Sequence, residues 1–124
     1  MKEAFEELLD MARKNWERSP WIKTQTTKVY SQEVLSEVNE LIQAIENKDS
    51  KNIQEELGDL LWDILMLIII AEEERKINAR EVIKGVADKM KKRKPHIIDG
   101  RAITLEEEKK IWHEAKAKEK QDKL

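Results

Sequence analysis

The sequence predicts an all-α fold, a helical bundle of four to five helices, and three observations carry that expectation. Apolar residues recur at three- and four-residue spacing along most of the chain, the period of an amphipathic helix. Only three Gly and two Pro interrupt 124 residues. Charged residues match hydrophobic ones at 40% each, a balance that favours long amphipathic helices with short connections over a β-rich fold.

Phe5, Leu8, Leu9, Ala12 and Trp16 set out a first helix, which gives way to a polar, Pro-containing stretch from Arg18 to Lys28 expected as a loop. A second helix is expected from about Ser31 to Asn47. Its core stripe is Val34, Val38, Leu41 and Ile45, widened by Leu35 and Ile42. The polar segment 47–52 ends it, and Asp49 or Ser50 is the expected N-cap of a third helix running to about Arg75. Asn78 with Glu81 three residues on reads as a capping box for a fourth helix, which must stop before Pro95. After a second loop from Pro95 to Ile103, in which only 96–98 is ambiguous, Thr104 with Glu107 repeats the capping pattern. The fifth helix carries Ile111, Trp112 and Ala115 and is expected to dissolve into a lysine-rich tail.

The length suits one domain, 1–124, with an N-terminal helix at 1–18, a motif-bearing core at 19–116 and a basic tail at 117–124. A net charge of -2 argues against stable nucleic-acid binding, which calls for a basic excess. The absence of Cys removes disulfides and thiolate metal sites; it agrees with a cytoplasmic location and equally with a heat-adapted protein rich in Lys, Glu and Ile. The N-terminus lacks the apolar stretch of a signal peptide. The central apolar run is too short for a membrane span and contains two Asp, so no membrane partner is expected.

Chemistry is concentrated on the second and third helices. Residues 57–71 are apolar except for Asp59 and Asp63, and both fall on the arc that holds Glu56. An unpartnered buried carboxylate costs several kcal/mol, about the scale that forces such a strip toward a cation or ligand. Glu37 and Glu40 lie one turn apart on the second helix, as Glu56 and Asp59 do on the third. In an antiparallel hairpin turning near Lys48, Glu40 comes level with Glu56 and Glu37 with Asp59. Four converging carboxylates repel one another and raise their own pKa values unless a divalent cation neutralises them. An oxygen-only ligand set points to Mg²⁺, with Mn²⁺ as a substitute. Asp63 is open between orienting a ligand and pairing with a Lys or Arg.

On the fourth helix Lys89 and Arg93 share the arc of Val82 and Val86 and are expected to prolong an inward-facing stripe. Inward cations across from a metal suit a di- or triphosphate, although both residues could instead snorkel and stabilise the helix C-terminus. Trp112 and Lys116, four apart, could offer a ring to a base or sugar and an ammonium to a phosphate; a docked core Trp is the other option.

Five segments in the same order carry a resemblance: SEVNE at 36–40, EELGD at 55–59, AEEE at 71–74, KMKKRKPHI at 89–97 and IWHEAK at 111–116. Together they resemble the MazG family of all-α nucleoside triphosphate pyrophosphohydrolases, and SPWIKTQT at 19–26 is similar to the family's Cys-Pro-Trp-Asp motif. The resemblance implies Mg²⁺ between Glu37, Glu40, Glu56 and Asp59, which serve as metal ligands and catalytic residues. It also implies substrate binding by Lys89, Arg93, Trp112 and Lys116. Two departures stand out. Ser36 replaces the first Glu of the usual Glu-Glu pair, and Ser19 and Ile22 replace Cys and Asp of the loop motif.

The expected activity is Mg²⁺-dependent hydrolysis of (deoxy)nucleoside triphosphates to monophosphate and pyrophosphate, with removal of non-standard nucleotides as one use. The breadth of the apolar third helix suggests completion by a second copy, as a homodimer or homotetramer. A non-catalytic helical module that pairs through the third helix is the competing expectation. A di-iron carboxylate bundle is disfavoured, because neither His96 nor His113 follows a Glu by three residues.

Overall fold

A computed structural model describes residues 1–123, and among them every regular element is helical. Six α-helices and one 3-10 turn follow one another: α1 Lys2–Arg18, the turn Ile22–Thr24, α2 Thr27–Glu46, α3 Ser50–Arg75, α4 Ala79–Arg93, α5 His96–Asp99 and α6 Leu105–Asp122. The helices divide between two compact units, Met1–Ala79 and the chain from Arg80 onward.

The first unit is built on the α2–α3 hairpin, against which α1 packs along α3. Its core joins Ala12 of α1, Ile22 of the turn, Tyr30 of α2 and Leu65, Met66, Ile69 and Ile70 of α3. The hairpin turns where the sequence places it. Asn47 caps α2, Lys48 adopts the left-handed conformation with φ 55°, and its N–H donates to the Ile45 carbonyl while that of Asp49 donates to Ala44. That pattern satisfies the last carbonyls of α2 within three residues. Asp49 then caps α3 by accepting from the Asn52 N–H at 3.2 Å.

Several boundaries differ from expectation. Thr26 accepts from the Val29 N–H at 3.2 Å and starts α2 four residues early, so much of the stretch read as loop is ordered. The opening turn is tied to the far end of α3 where Thr27 donates its backbone and side chain to Glu74. On α2, Val34, Val38 and Leu41 are half-buried and Ala44 is fully buried, whereas Leu35, Ile42 and Ile45 face solvent. The contact arc of α2 is thus narrower than its apolar stripe.

In the second unit, Pro95 begins a single helical turn, α5, that Gly100 closes with φ 76°, inside the segment expected as loop. Thr104 caps α6 by accepting from the Glu107 N–H at 3.1 Å, as its capping pattern predicts. The helix does not dissolve after Ala115 but continues to Asp122. Polar contacts hold its elements: Arg93 to Glu119 at 2.7 Å, and His96 to Glu108 at 2.6 Å. Val82 and Val86, expected to lead an inward stripe on α4, are both exposed, because the side chains that meet α6 lie at the C-terminal end of α4.

Candidate metal and phosphate site

Carboxylates of the hairpin meet as its register requires. One oxygen each from Glu37, Glu56 and Asp59 lie within 4.8 Å of one another, a spacing at which a single cation can bind all three. Oε2 of Glu37 and Oε2 of Glu56 are buried without a hydrogen-bond partner. Native proteins seldom leave such atoms orphaned, and a divalent cation satisfies both at once. The donor set is all oxygen, so the residues present fit a hard cation such as Mg²⁺ or Mn²⁺.

Electrostatics agree with the geometry. Burial, followed by the crowding of the Glu56 and Glu40 carboxylates, pushes the Glu37 carboxyl up to about 8. Three like-charged groups this close cannot all ionise cheaply without a counter-ion.

Glu40 stands apart from the other three expected ligands. It is exposed and outside the 4.8 Å group, yet near enough to Glu37 to raise its proton affinity.

Among the described residues Asp63, one turn beyond Asp59, pairs with neither Lys nor Arg. It is 9% exposed and accepts a hydrogen bond from the Tyr30 hydroxyl at 3.0 Å. Burial raises its carboxyl above the usual range, and the bond from Tyr30 opposes that rise. Burial and the same partner hold the Tyr30 phenol strongly protonated. Sequence reasoning did not include Tyr30. The signal was there: in the hairpin register Glu33 is level with Asp63, and Tyr30 lies one turn before Glu33.

The cationic candidates belong to the second unit. Arg93 is half-buried, and its guanidinium grips Glu119 through Nε and Nη2 at 3.3 and 2.7 Å while lying 4.8 Å from the centre of the Trp112 ring. Lys94 approaches the same ring at 5.8 Å. The structure therefore joins Arg93 with Trp112, two of the four expected substrate contacts, and adds Glu119, which lies in the segment read as a fraying tail. Lys89 and Lys116 are exposed.

Comparison with known proteins gives a consistent result. Residues 25–98 match the family model described as MazG nucleotide pyrophosphohydrolase domain, a span that includes the acidic group, Lys89 and Arg93. A nucleoside triphosphate pyrophosphohydrolase of Escherichia coli is 30% identical over 105 residues, covering 84% of this chain and 40% of the relative. A nucleoside triphosphate pyrophosphohydrolase/pyrophosphatase of Thermotoga maritima is 34% identical over 128 residues, covering 97% of this chain and 48% of the relative. The chain thus spans less than half the length of these curated relatives. A crystal structure of a MazG-related protein from Thermotoga maritima superposes with a TM-score of 0.86 at 31% identity, covering 90% of this chain and 98% of that one.

Proposed function

The chain belongs to the MazG nucleotide pyrophosphohydrolase family, and from that premise we propose that it hydrolyses nucleoside or deoxynucleoside triphosphates to the monophosphate and pyrophosphate. The observation that supports this reading best is the acidic group of Glu37, Glu56 and Asp59 with its two orphaned buried oxygens. We assign Glu37, Glu40, Glu56 and Asp59 as Mg²⁺ ligands and catalytic residues, with Mn²⁺ as an alternative ion. When bound, the ion neutralises phosphate charge and lowers the pKa of water.

The protein groups then have distinct tasks. Glu56 and Asp59 are fixed on one face of α3 and supply charge at set positions. A carboxylate of α2, Glu37 or Glu40, takes the proton of the attacking water. Lys89, Arg93 and Lys116 stabilise charge on the phosphates, and Trp112 offers a ring to the nucleotide. The 124 residues act as one MazG-like catalytic domain, cytoplasmic, assembled as a homodimer or homotetramer. Among the described residues no helix is long and apolar enough to cross a membrane. The removal of non-standard nucleotides is one role this activity serves.

Incubation of the purified protein with a panel of NTPs and dNTPs, with Mg²⁺ or with EDTA, tests the proposal. Chromatography should resolve monophosphate and pyrophosphate in Mg²⁺ and no products in EDTA. Diphosphate with orthophosphate, or turnover indifferent to EDTA, overturns it.

A further inference from the structure

Trp112 and Glu119 lie close to two full turns apart on α6 and so share one face, and Arg93 at the end of α4 engages both. We propose that Glu119 is a positioning residue of the phosphate site: it holds one edge of the Arg93 guanidinium so that the other edge is presented to a phosphate of the substrate.

A guanidinium is a rigid planar fork of N–H donors, and each of its edges can make a parallel pair of hydrogen bonds. Glu119 takes the edge formed by Nε and Nη2, at 3.3 and 2.7 Å. The edge formed by Nη1 and the remaining N–H of Nη2 makes no hydrogen bond to any described residue. It offers two donors to two oxygens of one phosphate, the contact at which arginine surpasses lysine. Trp112 supplies the remaining constraint, its ring centre lying 4.8 Å from the guanidinium carbon. A carboxylate thus sets rotation within the plane and an aromatic ring sets the plane itself, so a long side chain is ordered before any ligand arrives. The Arg93 side chain is only 14% exposed, and without Glu119 its charge would turn toward water and leave the ring.

A carboxylate beside a phosphate subsite is tolerable where cations outnumber it. The bond from Arg93 above all, and then the charges of Arg93, Lys89 and Lys92, hold the Glu119 carboxyl below the usual glutamate range. The group therefore keeps a positive balance with Glu119 ionised. Nor does the attachment of α6 depend on Glu119 alone: at Glu108, one turn before Trp112, His96 of α5 is bound at 2.6 Å.

This inference rests on the pyrophosphohydrolase reading, and its test separates the two. Steady-state kinetics on NTPs with Mg²⁺ compare wild type, Glu119→Gln, Glu119→Asp, Arg93→Lys and the Arg93→Lys/Glu119→Gln pair, with circular dichroism reporting the helices of each. Charge alone predicts tighter phosphate binding once a carboxylate is removed, whereas positioning predicts the reverse. Glu119→Gln should raise KM by about tenfold with a smaller change in kcat, and Glu119→Asp, which keeps the charge but draws it back, should also raise KM. In the Arg93→Lys background, where there is no fork to aim, Glu119→Gln should cost less than about twofold. A lowered or unchanged KM in Glu119→Gln, or an equal loss in both backgrounds, overturns the role of Glu119 while leaving the activity intact. If wild type cleaves no triphosphate, the activity reading fails, and calorimetric titration with inorganic tripolyphosphate judges the site. Binding that Glu119→Gln weakens in wild type but not in Arg93→Lys supports it, and any other result, including no binding by wild type, overturns it.

Discussion

Glu37 is placed where its charge is least welcome: burial and two neighbouring carboxylates hold its proton up to about 8. In metal-free protein this has a definite consequence for stability. Between 4.5, the ordinary glutamate value, and about 8, the folded chain binds a proton that the unfolded chain has released. Unfolding free energy therefore falls as pH rises through that window and levels off above it. Urea midpoints in EDTA should decline from pH 5 to 8 in wild type, and Glu37→Gln should flatten the decline. For Glu56 and Asp59 the expected outcomes separate structure from catalysis. Glu56→Gln or Asp59→Asn should lower turnover by about 100-fold or more. Each variant should be at least as stable as wild type in EDTA, because one repelling charge is gone, yet should lose the rise in Tm that Mg²⁺ gives wild type. Near-normal activity in either variant would remove that residue from the ligand set. The convergence of Glu37, Glu56 and Asp59 was legible because a hairpin register is arithmetic on residue numbers. The place of Glu40 outside that group was not, since it depends on side-chain rotamers. Tyr30 was missed for another reason: it lies four residues before Val34 and continues the stripe of α2, but it sits just ahead of the expected helix start at Ser31, whereas the helix begins at Thr27.

At the scale of elements, what a sequence makes legible is where backbone groups find local partners. The cap of α3 at Asp49 and that of α6 at Thr104 could be read because a short polar side chain meets a backbone N–H three residues on. The single turn of α5 follows from Pro95 and Gly100, neither of which signals a helix by apolar period. The extension of α6 was hidden because Glu119 reads as tail until Arg93 is known to grip it. The α2–α3 turn supports a prediction of its own. Lys48 holds φ 55°, a conformation that is strained for a residue bearing a Cβ. Lys48→Gly should therefore be neutral or stabilising by up to about 1 kcal/mol, the entropy of glycine in the unfolded chain offsetting part of the relief. Asp49→Ala, next door, should cost about 1 kcal/mol through loss of the cap. Urea denaturation of the two variants measures both, and a destabilised Lys48→Gly would show that the lysine side chain matters more than its backbone strain.

For the whole molecule, the decisive feature is apolar surface that the fold of the first unit leaves uncovered. Leu57, Leu61 and Ile64 recur at helical spacing along α3, and all three are exposed. Leu61 also borders an apolar hollow of about 700 Å³ whose other walls come from α1, including Phe5 and Leu8. A continuous apolar face on a protein with 40% charged residues is costly to leave in water, and a two-fold pairing would bury the same stripe on both copies. The assembly we propose predicts a sedimentation mass at least twice that of the 14.7 kDa chain. Leu61→Glu combined with Ile64→Glu should shift it to the monomer, since opposed glutamates would face each other across the axis. Both positions are already exposed, so circular dichroism should show the helices retained at low temperature, while Tm should cease to depend on protein concentration. A wild-type chain that sediments as a monomer at tens of micromolar would rule the assembly out, and the exposed stripe of α3 would then have to be met by a different protein.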